Sequence, residues 1–332
     1  MSQERRARIS QKLDDIERFV DWEVLVKPVR VIDKSGTKKG GRPRYPLLKM
    51  IKLLFLQYLY NLSDPKLEDQ LLDRRSFREF VGIVSDVEVP DFTTVWVFKE
   101  TLVEHELMDS LFESIVAQLE SRQLILRKGT IVDASIIESS NRPLSKKKRA
   151  ELEAKRQGDK TSVAQLDLDA HATEKRGKKY FGYKGHIGLD VGSKLIRRRA
   201  FTSANVHEGA LQRGYSQVKL FCGDERSFFG DKAYSNNQDK RDCRTKGIFY
   251  GVLDKATRRR CLSNRQKTRN GCLSRVRSAV EHPFAYMADK LSYKEAVART
   301  RARNSLRFDM NCVLHNVMRG IYLLKAQGRW MA

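Results

Sequence analysis

The sequence predicts an all-helical N-terminal unit followed by an α/β unit built on a mixed sheet. Three observations predict it. Apolar residues recur at helical spacing from Pro46 to about Gln123. From Gly129 the period falls towards two, in short β-branched runs bounded by turn residues. Strand and helix signals then alternate as three strands, a helix, a strand, a short helix, a strand and a long helix, the order of a mixed sheet flanked by helices. A chain of 332 residues has ample length for two or three such units with a real core.

Taken in order, residues 1–41 are charged and end in SGTKKGG, which reads as a basic arm or linker. Pro46 suits the first turn of a helix whose apolar stripe is Leu47, Leu48, Ile51, Leu54, Phe55, Tyr58, Leu59 and Leu62. A second helix begins after Ser63, with Leu67, Leu71, Leu72, Phe77 and Phe80 as its stripe. A third starts at PDFTT, capped by Asp91, Thr93 or Thr94, and runs with a break to about Gln123. GTIVDASII reads as a buried strand with Asp133 in its middle. Residues 138–180 are a polar, lysine-rich insertion of loop or short helix. FGYKGHIGLD and KLIRRRAFTSA read as a hairpin, HEGALQRGYSQVKLF as a helix, and SFFGDKAY as a strand ending in Asp231. NNQDKRDCRTKG reads as a short helix and IFYGVLD as a strand; the basic stretch Lys255–Arg269 leads into a helix around VRSAVEHPFAYMADKL. There is no internal repeat.

Lys and Arg number 65 against 41 Asp and Glu, a net charge of +24. So large a one-signed excess repels itself unless a polyanion is the partner, and nucleic acid is the first candidate; a surface merely solvated for solubility is the alternative. A hydrophobic content of 40% excludes a disordered tail. Five cysteines, Cys222, Cys243, Cys261, Cys272 and Cys312, form no close pairs and signal neither a disulfide framework nor a zinc ribbon. The N-terminus lacks the apolar stretch of a signal peptide, and the most apolar run, Pro46 to Leu62, is interrupted by Lys49, Lys52 and Gln57. A cytoplasmic, nucleoid-associated protein with no membrane partner is expected.

Three acids stand out by position. Asp133 interrupts an apolar strand, Asp231 closes one, and Glu281 lies among Val276, Val280 and Phe284. Desolvating a carboxylate is expensive, so such acids need compensation. Pairing with a nearby Arg or Lys is one form of it. A divalent cation is another: carboxylates converging from strands and a helix can hold two Mg²⁺ about 4 Å apart for chemistry at phosphorus. Asp190, in LDVGS, reads as a turn residue, and His207 and Glu208 as neighbours of the site.

The ordered trio Asp133 in GTIVDAS, Asp231 in FFGDKAY and Glu281 in RSAVEHPF resembles the DDE transposases of bacterial insertion sequences, specifically the insertion-sequence-five family of the insertion-sequence-four superfamily. Further matches are GRPRYPLLKMIKLLFLQYLYNLSD, VPDFTTVWVFK and DLDAHATEKRGKKYFGYKGHIGLD, so the likeness runs from about Gly40 over nearly the whole chain. The resemblance implies an RNase H-like core with the two aspartates on neighbouring strands and the glutamate on the last helix. It implies that Asp133, Asp231 and Glu281 are catalytic and hold Mg²⁺, with Mn²⁺ as a substitute and two ions per site. The family sets a Tyr, an Arg and a Lys around its glutamate. Arg277 matches the arginine and is placed to reach a DNA phosphate or orient the acid, whereas Ser274 stands at the Tyr position and Ala288 at that of the Lys. Lys290 follows two residues later, about 180° around a straight helix from Glu281, and only a kink at Pro283 would bring it back.

Phosphate contacts are expected from Arg258, Arg259, Arg260, Arg265, Lys267 and Arg269 before the Glu281 helix, and from Lys146, Lys147, Lys148 and Arg149 in the insertion, with a disordered, solvated run as the alternative reading of each stretch and an even one for the insertion. The helical unit offers Arg42, Arg44, Lys49, Lys52, Lys66, Arg74, Arg75 and Arg78. The expected organisation is a basic arm at 1–41, a helical DNA-binding domain at 42–125, and an RNase H-like catalytic domain at 126–332 carrying the insertion. The expected function is a transposase that binds terminal inverted repeats, cleaves at the element ends and joins the 3′-hydroxyl to target DNA, as a homo-oligomer on double-stranded DNA. A nuclease or resolvase that cuts without joining, and a catalytically silent DNA-binding regulator, are the alternatives. A zinc site from Cys261, Cys272 and His282 matches no common spacing.

Overall fold

The computed structural model describes residues 3–33, 44–141, 143–158, 166–175, 177–207, 220–256 and 260–330. The chain divides into two compact units, one of Met1–Leu124 with Asp309–Ala332, the other Ile125–Phe308.

The first unit is helical throughout its described residues. Its helices are α1 (Gln3–Phe19), α2 (Trp22–Val26), α3 (Leu47–Leu59), α4 (Asp64–Asp73), α5 (Arg75–Val81), α6 (Phe92–Glu104) and α7 (Met108–Ser121), with a 3₁₀ turn at Lys27–Ile32. The arm expected at 1–41 is therefore a packed helix over much of its length. Leu13, Ile16 and Phe19 recur every three residues and are buried, as are Trp22, Leu25 and Val29. That periodicity lay under a high charge density, which had suggested solvent. Arg74, in the extended region, splits the expected second helix into α4 and α5, and Glu106, at φ 52°, separates α6 from α7. The C-terminal helix α12 (Arg301–Ala326) carries buried Val313, Leu314, Val317 and Ile321. Its tail joins this unit, because Lys325 pairs with Asp15 at 2.5 Å and Trp330 stacks on Phe19. Residues 309–332 thus group with the helices rather than with the α/β unit.

The second unit is built on one mixed sheet of β1 (Thr130–Ser139), β2 (His171–Lys175), β3 (Lys178–Asp190), β4 (Ile196–Ser203), β5 (Ser227–Gly230), β6 (Phe249–Val252) and β7 (Glu295–Ala296). The main path runs β2-β3-β1-β5-β6, with β4 beside β3 and β7 beside β1. β3 is antiparallel to β1, β2 and β4; β5, β6 and β7 enter parallel. The short helices are α8 (Lys146–Gly158), α9 (Asn237–Thr245), α10 (Asn264–Arg277) and α11 (Glu281–Lys290). Val132, Phe228, Tyr234, Cys243, Ile248 and Val252 close the core under α9. This sheet agrees with the RNase H-like core that the resemblance implies. β2 was hidden in the polar insertion because its residues, HATEK, are exposed or half-buried, none fully buried, and lack a hydrophobic period. The helix expected from residue 208 lies outside the described residues.

Candidate active site

Asp133 and Asp231 are brought together by strand register. β1 and β5 run parallel with Val132 opposite Gly230, and each aspartate follows the last residue that these two strands pair with each other. β5 pairs with β1 only over 130–132, and β7 takes up that edge again at Glu138, so Asp133 opens an unpaired stretch of β1 edge. A Cβ at Gly230 would meet Tyr234 at 3.1 Å and Val132 at 3.2 Å, so a glycine precedes Asp231 where the strands close up. Asp231 itself accepts the Lys232 N–H at 2.5 Å and caps a 3₁₀ turn, Lys232–Tyr234. Carboxyl ends of parallel strands are where open sheets place ligands, because backbones diverge there and leave a crevice.

A cleft of about 1120 Å³ lies at these strand ends, bounded by Ala134, Ile136, Asp231, Asp254, Arg277 and, on β2, Thr173 to Lys175. Lys184, Lys232 and Lys255 add positive charge to its wall. The Asp133 side chain is 28% exposed and holds the Arg277 Nη2 at 3.4 Å. Burial raises its pKa; the Ala134 N–H and the Arg277 charge pull the other way, and the Asp231 charge adds to the rise. Its carboxylate is therefore undercompensated, and one cause is the second acid. The Nε of Arg277 is buried and makes no hydrogen bond.

The third acid comes from another element. Glu281 is the exposed first residue of α11, after a 3₁₀ turn at Ser278–Val280 that ends α10. The single helix expected there is thus broken, and the break lies before Pro283 rather than at it. Pro283 is the third residue of α11, where a missing N–H removes no intrahelical bond. From Glu281 to Lys290 the helix is continuous, so Lys290 lies about half a turn round from the acid. Exposed there, it pairs with Asp289 at 2.8 Å.

Several expected phosphate ligands have structural partners. Arg269 donates to the Tyr250 and Val252 carbonyls and pairs with Asp254 at 3.0 Å, fastening α10 to β6. Arg149 pairs with Glu153 and donates to the Leu168 and Ala170 carbonyls. In the helical unit Lys49, Lys52, Arg75 and Arg78 pair with Glu88, Glu17, Glu79 and Asp86, and Lys52 is buried against Trp22. Arg260, Arg265, Lys267, Lys147 and Lys148 are exposed. Arg42, Arg258, Arg259 and Glu208, and the side chain of Lys146, lie outside the described residues. Sequence reasoning passed over Lys175, Lys184 and Lys232. Lys184 carried a usable signal, a cation in the buried, largely uncharged middle of β3, between Tyr183 and Ile187.

The donors fit a divalent cation. They are hard carboxylate oxygens on fixed strand ends, with a negative charge that burial and proximity leave uncompensated. Asp133, Asp231 and Glu281 do not converge within 4.8 Å, wider than a one-ion shell; two ions about 4 Å apart spread their ligands further. Cys222, Asp224 and Glu225 do meet within that distance. There, however, Asp224 is neutralised by Arg197 at 2.8 Å and Arg127 at 3.1 Å, and Glu225 accepts the Cys222 and Gly223 N–H groups. That cluster is a structural turn.

Paired strand-end acids beside a lysine-walled cleft define a phosphoryl-transfer enzyme acting on a polyanion. The comparisons give the class its family. The model of the Transposase DDE domain matches residues 126–317, and that of the Transposase domain (DUF772) matches residues 2–101. The first covers more than half of the chain, and the protein belongs to the DDE-domain transposase family. It is a metal-dependent transposase that acts on DNA. No solved structure matches it. No helix among the described residues is long and apolar enough to cross a membrane.

Proposed function

We propose that this transposase binds the terminal inverted repeats of an insertion sequence of the insertion-sequence-five family, cleaves at the element ends and joins the freed 3′-hydroxyl to target DNA. The observation that carries the reading is the register of Asp133 and Asp231, each one residue past the last β1–β5 pair, with Asp231 lining the cleft and Asp133 held beside it by Arg277, which lines it too. Asp133, Asp231 and Glu281 would hold two Mg²⁺, or Mn²⁺ in substitution, which would supply activation of the attacking oxygen and stabilisation of the leaving one. The strand ends fix two of the three acids before substrate arrives. Arg277 orients Asp133 and, from the cleft wall, contacts a phosphate oxygen. Lys184, Lys232 and Lys255 draw the DNA backbone into the cleft. Glu281 enters from the start of α11, and the flexible exposed cations Arg260, Arg265, Lys267, Lys147 and Lys148 hold flanking phosphates. Terminal-repeat recognition belongs to the helical unit, and two copies on DNA bring the two ends together, in the bacterial nucleoid.

The test is incubation of the full chain with labelled element-end DNA, a target plasmid and Mg²⁺, comparing wild type with Asp133→Asn. Cleaved and joined products from wild type alone are expected. Cleavage without joining would make the protein a nuclease, and binding without either product a regulator.

A further inference from the structure

The main cleft continues into a second lobe of about 440 Å³, lined by Ser135, Ile136, Glu138, Lys175, Lys178, Tyr180 and Lys294. Ile136 and Lys175 belong to both. The lobe follows the unpaired β1 edge away from Asp133 as far as Glu138, whose N–H is held by the Lys294 carbonyl at 2.9 Å. The β2–β3 ladder sets its other wall: Lys178 pairs with Lys175 and Tyr180 with Thr173, and directly opposed residues share a sheet face. Its charged lining is three lysines against one glutamate. Lys178 Nζ lies 5.1 Å from the Tyr180 ring centre. A space of this size admits a nucleotide-sized group. A cationic groove interleaved with an aromatic ring is the arrangement that holds unpaired strands, phosphates on lysines and a base on the ring. Duplex backbone alone would have no use for the aromatic.

We propose that the two lobes form one track for single-stranded DNA, taking the strand that leads away from the scissile phosphate, with Tyr180 as the stacking platform and Lys175, Lys178 and Lys294 on the phosphates. The inference rests on the transposase reading of the neighbouring acids. It assigns the β2–β3 hairpin a role that neither metal binding nor repeat recognition requires, and it implies that the DNA end is unpaired where it leaves the site.

Fluorescence anisotropy of the full chain with a labelled oligothymidylate about ten nucleotides long, within the range of single-strand sites, tests it against a blunt duplex. Tyr180→Ala is expected to weaken oligothymidylate binding about tenfold or more, and Tyr180→Phe to stay within about twofold. Lys178→Ala and Lys294→Ala should each lower the salt slope on that probe by about 0.7. Duplex binding should be unmoved by all three. Equal oligothymidylate affinity for wild type and Tyr180→Ala would overturn the track, and so would an equal loss on the blunt duplex, which marks a plain backbone contact. Metal-dependent nicking of element-end DNA by wild type reports on the transposase reading separately. Nicking with no Tyr180 effect removes only the track, and a Tyr180 effect without nicking removes only the parent reading.

Discussion

Two aspartates on the paired strands β1 and β3 meet opposite fates. Asp190, at the end of β3, is fully buried, and its carboxylate accepts the Arg127 N–H at 2.8 Å, the Ser193 N–H at 2.9 Å and the Ser193 hydroxyl at 2.7 Å. Asp133, inside β1, is partly exposed, leans on one guanidinium at 3.4 Å, and feels a second acid. The first is a turn fastened by its side chain. The second is a charge left for something else to neutralise. Burial alone does not mark function, since the more buried acid is the structural one; unmet demand for positive charge does.

The largest effect should separate the two by activity. Asp133→Asn and Asp231→Asn are each expected to lower end cleavage about a thousandfold or more, since metal charge stabilisation contributes several kcal/mol, while DNA binding without metal persists. A gel-shift and cleavage pair checks this. Asp190→Ala should instead act on stability. It strips the acceptor from several buried donors, costing about 3 kcal/mol and lowering Tm by about 6 to 12 °C, with residual activity tracking the folded fraction. Calorimetry that left Tm unchanged would break the comparison.

Arg277→Gln should fall between them. Cleavage is expected to drop about tenfold, and the salt slope of end binding by about one ion, because one phosphate contact is lost. The smallest effect concerns the metal-free protein. The Asp133 pKa is raised in the fold, so protons bind the native state more tightly. Its favourable contribution is present below the ordinary carboxylate range and is lost as pH rises through the raised value. Asp133→Asn should therefore make metal-free protein slightly more stable than wild type at pH 7, with the gap closing at acid pH.

Much of this was legible in the sequence. A lone acid in GTIVDAS and another closing SFFG marked both carboxylates, and the resemblance implies that their strands are neighbours; the parallel register that sets them side by side is seen only in the fold. Asp190 read as a turn residue because it precedes Gly192 and Ser193. What stayed hidden had physical causes. The N-terminal helix masks a three-residue apolar rhythm with charge, and β2 is a sheet edge with nothing to bury. The partners of Arg269 and Arg149 are backbone carbonyls, which carry no residue-type signal. The sequence offers Pro283 as a kink that would turn Lys290 back, yet a proline costs little in a first helical turn, and the 3₁₀ turn that separates α10 from α11 lies before it, at Ser278–Val280.

The most direct measurement of the central claim is Mn²⁺ binding followed by electron paramagnetic resonance on wild type, Asp133→Asn, Asp231→Asn and Asp190→Asn. Saturable Mn²⁺ uptake by wild type, lost in both strand-end variants and kept in folded Asp190→Asn, is the predicted result. Uptake that is unchanged in Asp133→Asn and Asp231→Asn would contradict it.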